Sequence, residues 1–211
     1  MKKDTIYVVS GYMRSGTSMM MKCLEASGMD ACYNSSKDAV LNNKYERDDY
    51  KPNPEGFYEL GRKEFKDPDF VKIYQGKLIK VLHWRLDTLP PANYKVVFIK
   101  RDPKEIEVSY LKMFQRRPPF VLQKYDELVE ETVKKLEEKN IEVDLVNFKD
   151  VIEDSENVFK YLQNNKWPLV NIPEAISAVN KKLYRSKACN INQVRSEIPN
   201  LRIDLPDNLV K

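Results

Sequence analysis

The sequence predicts an α/β fold, a three-layer sandwich with a mostly parallel central sheet. Three observations predict it. Short runs rich in β-branched and aromatic residues alternate with segments of helical spacing. The first 28 residues read as strand, glycine-bearing loop and helix. Two of the runs, TIYVV (5–9) and KVVFI (95–99), are apolar beyond their first residue, as strands covered on both faces are.

Thr5 to Val9 is the first strand. Ser10 and Gly11 lead into RSGTS (14–18), and MMMKCLEASG (19–28) then has helical spacing with Gly28 at a natural C-cap. Residues 30–56 are polar and lack a period, and NPEG (53–56) marks a turn. A long loop on the acceptor side of a site, or a short disordered lid, is expected there. Tyr58 to Lys66 suits a short helix and KLIKVLH (77–83) a strand. Pro90 and Pro91 break the chain before the 95–99 strand.

Pro103 sits at the first turn of a helix expected to reach about Arg116, and Pro118–Pro119 ends that segment. Phe120 to Lys139 reads as a helix with Leu128, Val129, Val133 and Leu136 inward. EVDLVNF (142–148) is a strand with Val143, Leu145 and Val146 expected to point into the core. Helices follow at Ser155 onward, with Val158, Phe159 and Leu162 inside, and from Pro173 to Tyr184. The last 25 residues read as irregular. No repeat or composition break divides the chain, so a single domain over 1–211 is expected.

Composition excludes several classes. The 211 residues carry 36 Lys and Arg against 32 Asp and Glu, a net charge of +4. That is too weak a charge to point to nucleic acid. No apolar stretch approaches the roughly 20 residues of a membrane span. The N-terminus lacks a signal-peptide plan. Cys23, Cys32 and Cys189 cannot all pair within the chain, and their spacing fits no zinc or redox motif. A reducing, cytoplasmic setting is expected.

GYMRSGTS (11–18) carries the first candidate site. It has the G-x-x-x-x-G spacing of a phosphate loop but no Walker lysine. Gly11 and Gly16 permit tight backbone, and successive N–H groups from Ser15 to Ser18 are expected to share one concavity at a helix N-terminus. Thr17 and Ser18 add hydroxyls, and Arg14 adds a multi-donor fork. The bland reading is a Ser or Thr N-cap on an ordinary helix. The second candidate is Arg101 at a strand end with Ser109 two turns down the next helix, placed for a second phosphate. Its bland counterpart is an Arg paired with Asp102 or Glu105.

Together the two segments resemble the PAPS-dependent sulfotransferases, in a divergent bacterial-type branch with a P-loop-like fold. The likeness is one of motif order over roughly residues 5–187. It implies that Gly11, Tyr12, Arg14, Ser15, Gly16, Thr17 and Ser18 hold the 5′-phosphosulfate of the donor PAPS. It implies that Arg101 and Ser109 hold its 3′-phosphate. NPEGFYE (53–59), the Lys80 strand, Leu89–Pro90 and LYR (183–185) extend it. The family's C-terminal Arg-Lys-Gly loop has no clean match, and Arg185 and Lys187 are expected to do a related job.

The resemblance implies sulfuryl transfer from PAPS, leaving the 3′,5′-bisphosphate PAP, to a hydroxyl or amine on a small-molecule or carbohydrate acceptor. It requires no metal and leaves room for a homodimer. Arg14 is assigned to the leaving phosphate and Lys80 to the transferred group. Two residues compete as the base. His83 is the only histidine and follows Lys80 by three positions, not two, so it faces away unless the strand has ended. Glu59 is the rival carboxylate, with Glu55 beside it. Tyr33, Tyr45, Tyr50, Phe57 and Tyr58 are candidates for an acceptor wall, and Lys112, Arg116 and Arg117 for further anion contacts. Two other functions stay open, a P-loop nucleotide kinase or NTPase and a non-catalytic nucleotide-binding protein.

Overall fold

The computed structural model describes residues 4–48, 50–119 and 122–197. The elements run β1 (Thr5–Gly11), α1 (Thr17–Ala26), β2 (Ala31–Cys32), α2 (Ser35–Tyr45), α3 (Arg62–Phe65), α4 (Phe70–Tyr74), β3 (Leu78–Lys80), β4 (Asn93–Lys100), α5 (Pro103–Phe114), α6 (Tyr125–Glu138), β5 (Glu142–Asn147), α7 (Phe148–Glu153), α8 (Ser155–Asn164), α9 (Ile172–Ser177) and α10 (Ile191–Glu197). The five strands form one sheet in the order β2-β3-β1-β4-β5, and every pair is parallel.

Strand alternation builds the three layers. Tyr7 and Val9 of β1 and Val97 and Ile99 of β4 face one side, with α1, α7 and α8. Ile6 and Val8 of β1 and Val96 and Phe98 of β4 face the other, with α4 and α6. Both sides are covered, which is why β1 and β4 have no polar face.

Four strand ends meet along one rim. β1 and β4 pair with Gly11 opposite Ile99, β1 and β3 with Val9 opposite Lys80, and β4 and β5 with Lys100 opposite Asn147. The residues at or just past those ends are Lys80, the 11–18 loop, Arg101 and Phe148, in that spatial order. Ligands of open parallel sheets bind in this position.

Several elements differ from expectation. The 30–56 stretch is not loop throughout, since it holds β2 and the eleven-residue α2. What buries α2 is the Asp38 carboxylate, which accepts hydrogen bonds from the backbone N–H of Phe57 (2.8 Å) and Tyr58 (3.0 Å). Leu145 points outward at 46% exposure, and Asp144 takes the buried register instead. The helix expected to reach Tyr184 stops at Ser177, and a 3-10 turn covers Lys181–Leu183. Within the last 25 residues, 187–197 are ordered into a 3-10 turn and α10, and the IPNLRIDLP tail lies outside the described residues.

Candidate functional site

The 11–18 loop is built by its two glycines. Gly11 (φ +151) and Gly16 (φ +107) lie in backbone regions that side chains rarely adopt. A Cβ on Gly11 would meet Ser15 Oγ at 2.5 Å and the Ile99 carbonyl at 2.7 Å. A Cβ on Gly16 would collide with the Phe148 ring. Gly16 is itself the N-cap of α1 and makes no side-chain cap bond, so no hydroxyl of the loop is spent on capping. The bland N-cap reading therefore fails, and Ser15 Oγ is buried without a partner.

Arg14 stands at φ +71, a left-handed conformation uncommon for a long side chain. Its Nε donates to Ser109 Oγ (2.9 Å), Nη1 to Asn53 Oδ1 (3.1 Å) and Nη2 to the Pro52 carbonyl (3.2 Å). Burial, then the positive charges of Arg101 and Arg185 against an opposing effect of Tyr50, pull its pKa below the ordinary value. Arg185 Nη2 donates to the Lys51 carbonyl (2.7 Å), and its guanidinium lies over the Tyr50 ring. Among the described residues no carboxylate lies within ion-pair distance of either Arg14 or Arg185.

Lys80 ends β3 almost fully buried. Its Nζ donates to the Phe57 carbonyl (2.7 Å) and Ser18 Oγ (3.1 Å), with Glu59 Oε1 at 3.7 Å. Burial lowers its pKa to about 8, Glu59 opposing and Arg14 adding to the fall. Glu59 is joined to β3 by an isolated bridge to Lys80 and also pairs with Lys37 at 2.9 Å. Burial raises its carboxyl pKa, but Lys80 and Lys37 outweigh that and hold it below the usual range. Glu59 is thus held as a carboxylate.

These groups share one cleft of about 190 Å³. Arg14, Gly16, Thr17, Ser18, Glu55, Glu59, Lys80, Arg101, Ser109 and Arg185 all line it, so the two motifs open into a common space. Leu41, Tyr45, Tyr50, Met113 and Phe114 form an apolar wall. Of the rings proposed for that wall, Tyr45, Tyr50 and Phe57 line the cleft, whereas Tyr33 and Tyr58 pack edge-to-face on each other outside it.

Four of the candidate site residues lie outside the cleft lining. β3 ends at Lys80, so strand alternation does not govern His83. His83 begins a 3-10 turn and stacks on Tyr12 at 3.6 Å, apart from the cleft lining. Burial, partly opposed by a hydrogen bond with the Gly11 backbone, drops its pKa to about 4. Tyr12 packs against Phe98 and Tyr125 in the α6-side core rather than in the cleft. Gly11 and Ser15 shape the loop from behind and are likewise not cleft-lining.

Arg101 is placed as expected but is ion-paired. Its Nε meets Glu105 Oε2 at 3.0 Å, Nη1 donates to the Arg14 carbonyl (3.1 Å) and Nη2 to the Ser186 carbonyl (3.3 Å). Its guanidinium also stacks on Phe148 at 4.1 Å. Tyr184 Oη donates to the other Glu105 oxygen. The Glu105 pairing weighed at first against a phosphate role is real, and it makes Arg101 the hub that holds the loop and the 184–186 segment together. Asn53 and Tyr184 lie in the NPEGFYE and LYR segments, which carry no assigned role for either; Phe148 and Asp38 go unmarked in the sequence, and of these two only Phe148, just past a strand end as Arg101 is, has a positional signal.

Among the described residues no group of three or more His, Cys, Asp or Glu is arranged to hold a metal ion. No described helix is long and apolar enough to cross a membrane. No family model and no curated protein matches the chain. Among solved structures the chain is similar to a crystal structure of retinol dehydratase in a complex with retinol and PAP. The two share 19% identity at a TM-score of 0.46, over 94% of this chain and 71% of that one. So distant a likeness does not say what this chain acts on.

Proposed function

We propose that the chain is a sulfotransferase that moves a sulfuryl group from PAPS to a hydroxyl or amine acceptor. One observation supports this most. Two guanidinium groups with no carboxylate partner among the described residues, Arg14 and Arg185, line one cleft with Lys80, Ser18 and Ser109. Partly buried guanidinium groups held only by neutral oxygens favour a multiply charged anion. The donor set fits such a nucleotide, since a loop with Gly at 11 and 16 brings backbone and hydroxyls close where a Cβ would not fit.

PAPS supplies the activated sulfuryl group. Arg14 and Lys80 would stabilise the negative charge that grows on the leaving phosphate. Thr17 and Ser18 add neutral donors. Ser109, Arg101 and Arg185, which line the same cleft, would hold the second phosphate. Glu59, a carboxylate in the lining, takes the acceptor proton. The apolar wall at Leu41, Tyr45 and Phe114 receives the acceptor body.

Thermal unfolding with the product PAP tests this reading. Saturation at about 100 times Kd adds roughly 2.7 kcal/mol of stability. Arg14→Ala should remove most of that gain. A magnesium-dependent gain with ATP and none with PAP would support the kinase reading instead. PAP binding with no transfer to any hydroxyl or amine acceptor would leave a binding protein.

A further inference from the structure

The cleft cations are already engaged by one short stretch of chain. Arg14 Nη1 and Nη2, the outer edge of its fork, grip Asn53 Oδ1 and the Pro52 carbonyl at 3.1 and 3.2 Å. Arg185 Nη2 holds the Lys51 carbonyl at 2.7 Å and reaches the Pro52 carbonyl at 3.5 Å. Asn53 Nδ2 donates to Ser18 Oγ at 3.4 Å. Two neutral oxygens thus sit on a guanidinium edge in the paired arrangement that two oxygens of a phosphate would take.

We propose that residues 51–53 are a strap that occupies the anion donors of the cleft and is displaced when the anionic nucleotide enters. The inference rests on the nucleotide reading above. Three features make displacement feasible. Hydrogen bonds to an ionised acceptor are roughly twice as strong as those to a neutral one, so phosphate oxygens outcompete the carbonyls. The stretch beyond the strap is anchored separately, because Asp38 holds the backbone N–H groups of Phe57 and Tyr58. Between strap and anchor lies a turn closed by Gly56 N–H to the Asn53 carbonyl (3.0 Å), with Gly56 at φ +103. Withdrawal of 51–53 also uncovers the wall beside Tyr50, so donor binding and acceptor access are coupled through one segment.

Affinity in solution tests the strap, because a self-occluded site binds with its intrinsic constant divided by the open fraction. Calorimetric titration compares wild type, Asn53→Ala and Asn53→Asp, with PAP and with inorganic pyrophosphate as probes. Asn53→Ala loosens the strap and should tighten PAP binding roughly three- to tenfold. Asn53→Asp places a carboxylate on Arg14 and should weaken it roughly tenfold or more. Hydrogen exchange with saturating PAP should slow at 14–18 and quicken at 51–56. Weaker or unchanged PAP binding by Asn53→Ala, or protection of 51–56, overturns the strap and leaves the nucleotide reading standing. Tighter pyrophosphate binding by Asn53→Ala, with no PAP binding by any variant, supports the strap and overturns the nucleotide reading. Failure of both probes on every variant overturns both.

Discussion

Arg14 Nε donates to Ser109 Oγ at 2.9 Å, across 95 positions of sequence. The bond joins the loop after β1 to the second turn of α5, and Arg101 ties the same loop down through the Arg14 carbonyl. The two motifs are therefore one mechanical unit. That unit draws on two adjacent strands, β1 and β4, so a change at one strand end is felt at the next.

Arg101→Ala should destabilise the protein by roughly 3 kcal/mol, because it strands the Glu105 carboxylate in a largely buried position. Urea denaturation measures this. Arg101→Ala with Glu105→Ala should recover part of the loss. If the double variant is as unstable as the sum of the singles, the pair is not coupled.

The buried edge of β5 gives a second stability prediction. Asp144 accepts from Trp167 Nε1 at 2.7 Å and Asn165 Nδ2 at 2.5 Å, with Lys95 Nζ at 3.5 Å. Asp144→Ala leaves an indole N–H and a buried ammonium with fewer partners, at a cost of about 3 kcal/mol. Leu145→Ala, on the exposed side of the same strand, should cost under about 1 kcal/mol. Thermal or urea unfolding of the pair checks the ordering, which is the reverse of what hydrophobicity suggests.

That reversal marks where the sequence was legible. β1 and β4 could be read because both faces are buried and every position reports it. Their ends located Arg14 and Arg101, and the end of β3 located Lys80. β5 misled in part because its inward register pairs Val146 with a hydrogen-bonded aspartate, Asp144, where an apolar residue is expected. α2 was invisible for a like reason, being docked through Asp38 with no apolar stripe. Asn53 opens a segment the sequence marks as a turn, but that Asn53 and Pro52 reach the Arg14 fork follows from the path of the chain, which leaves no trace in local pattern. His83 was drawn into the site by its residue type, but a strand that ends at Lys80 turns it toward Tyr12.

Lys80 makes anion binding and stability respond oppositely to pH. Its pKa in the folded chain is about 8, below the ordinary lysine value of 10.5. Between those values the unfolded chain holds a proton that the folded chain has released, so stability rises with pH there. The burden of a buried charge is present in full below pH 8 and relieved above it. Anion affinity runs the other way, falling as the ammonium is lost. PAP titrations from pH 7 to 10 should show the fall, and Lys80→Met should flatten it. An unchanged profile in Lys80→Met would remove Lys80 from the site.

Glu59 and His83 can be separated by rate. Glu59 lines the cleft beside Lys80, and its Lys80 and Lys37 partners keep it ionised and able to accept a proton. Glu59→Gln keeps the shape and removes the base, so kcat should fall by roughly 10²–10⁴ with KM for PAPS changed far less. The same change removes a negative charge beside Lys80, which lowers the Lys80 pKa further and moves the alkaline fall in PAP binding to lower pH. A merely structural glutamate would not produce that shift together with a kcat-specific loss. His83→Ala removes a ring stacked on Tyr12 outside the cleft lining, so its cost should appear in stability while kcat stays within a few-fold of wild type. A large kcat loss in folded His83→Ala, with Glu59→Gln near normal, would return the proton to the imidazole and reverse the assignment.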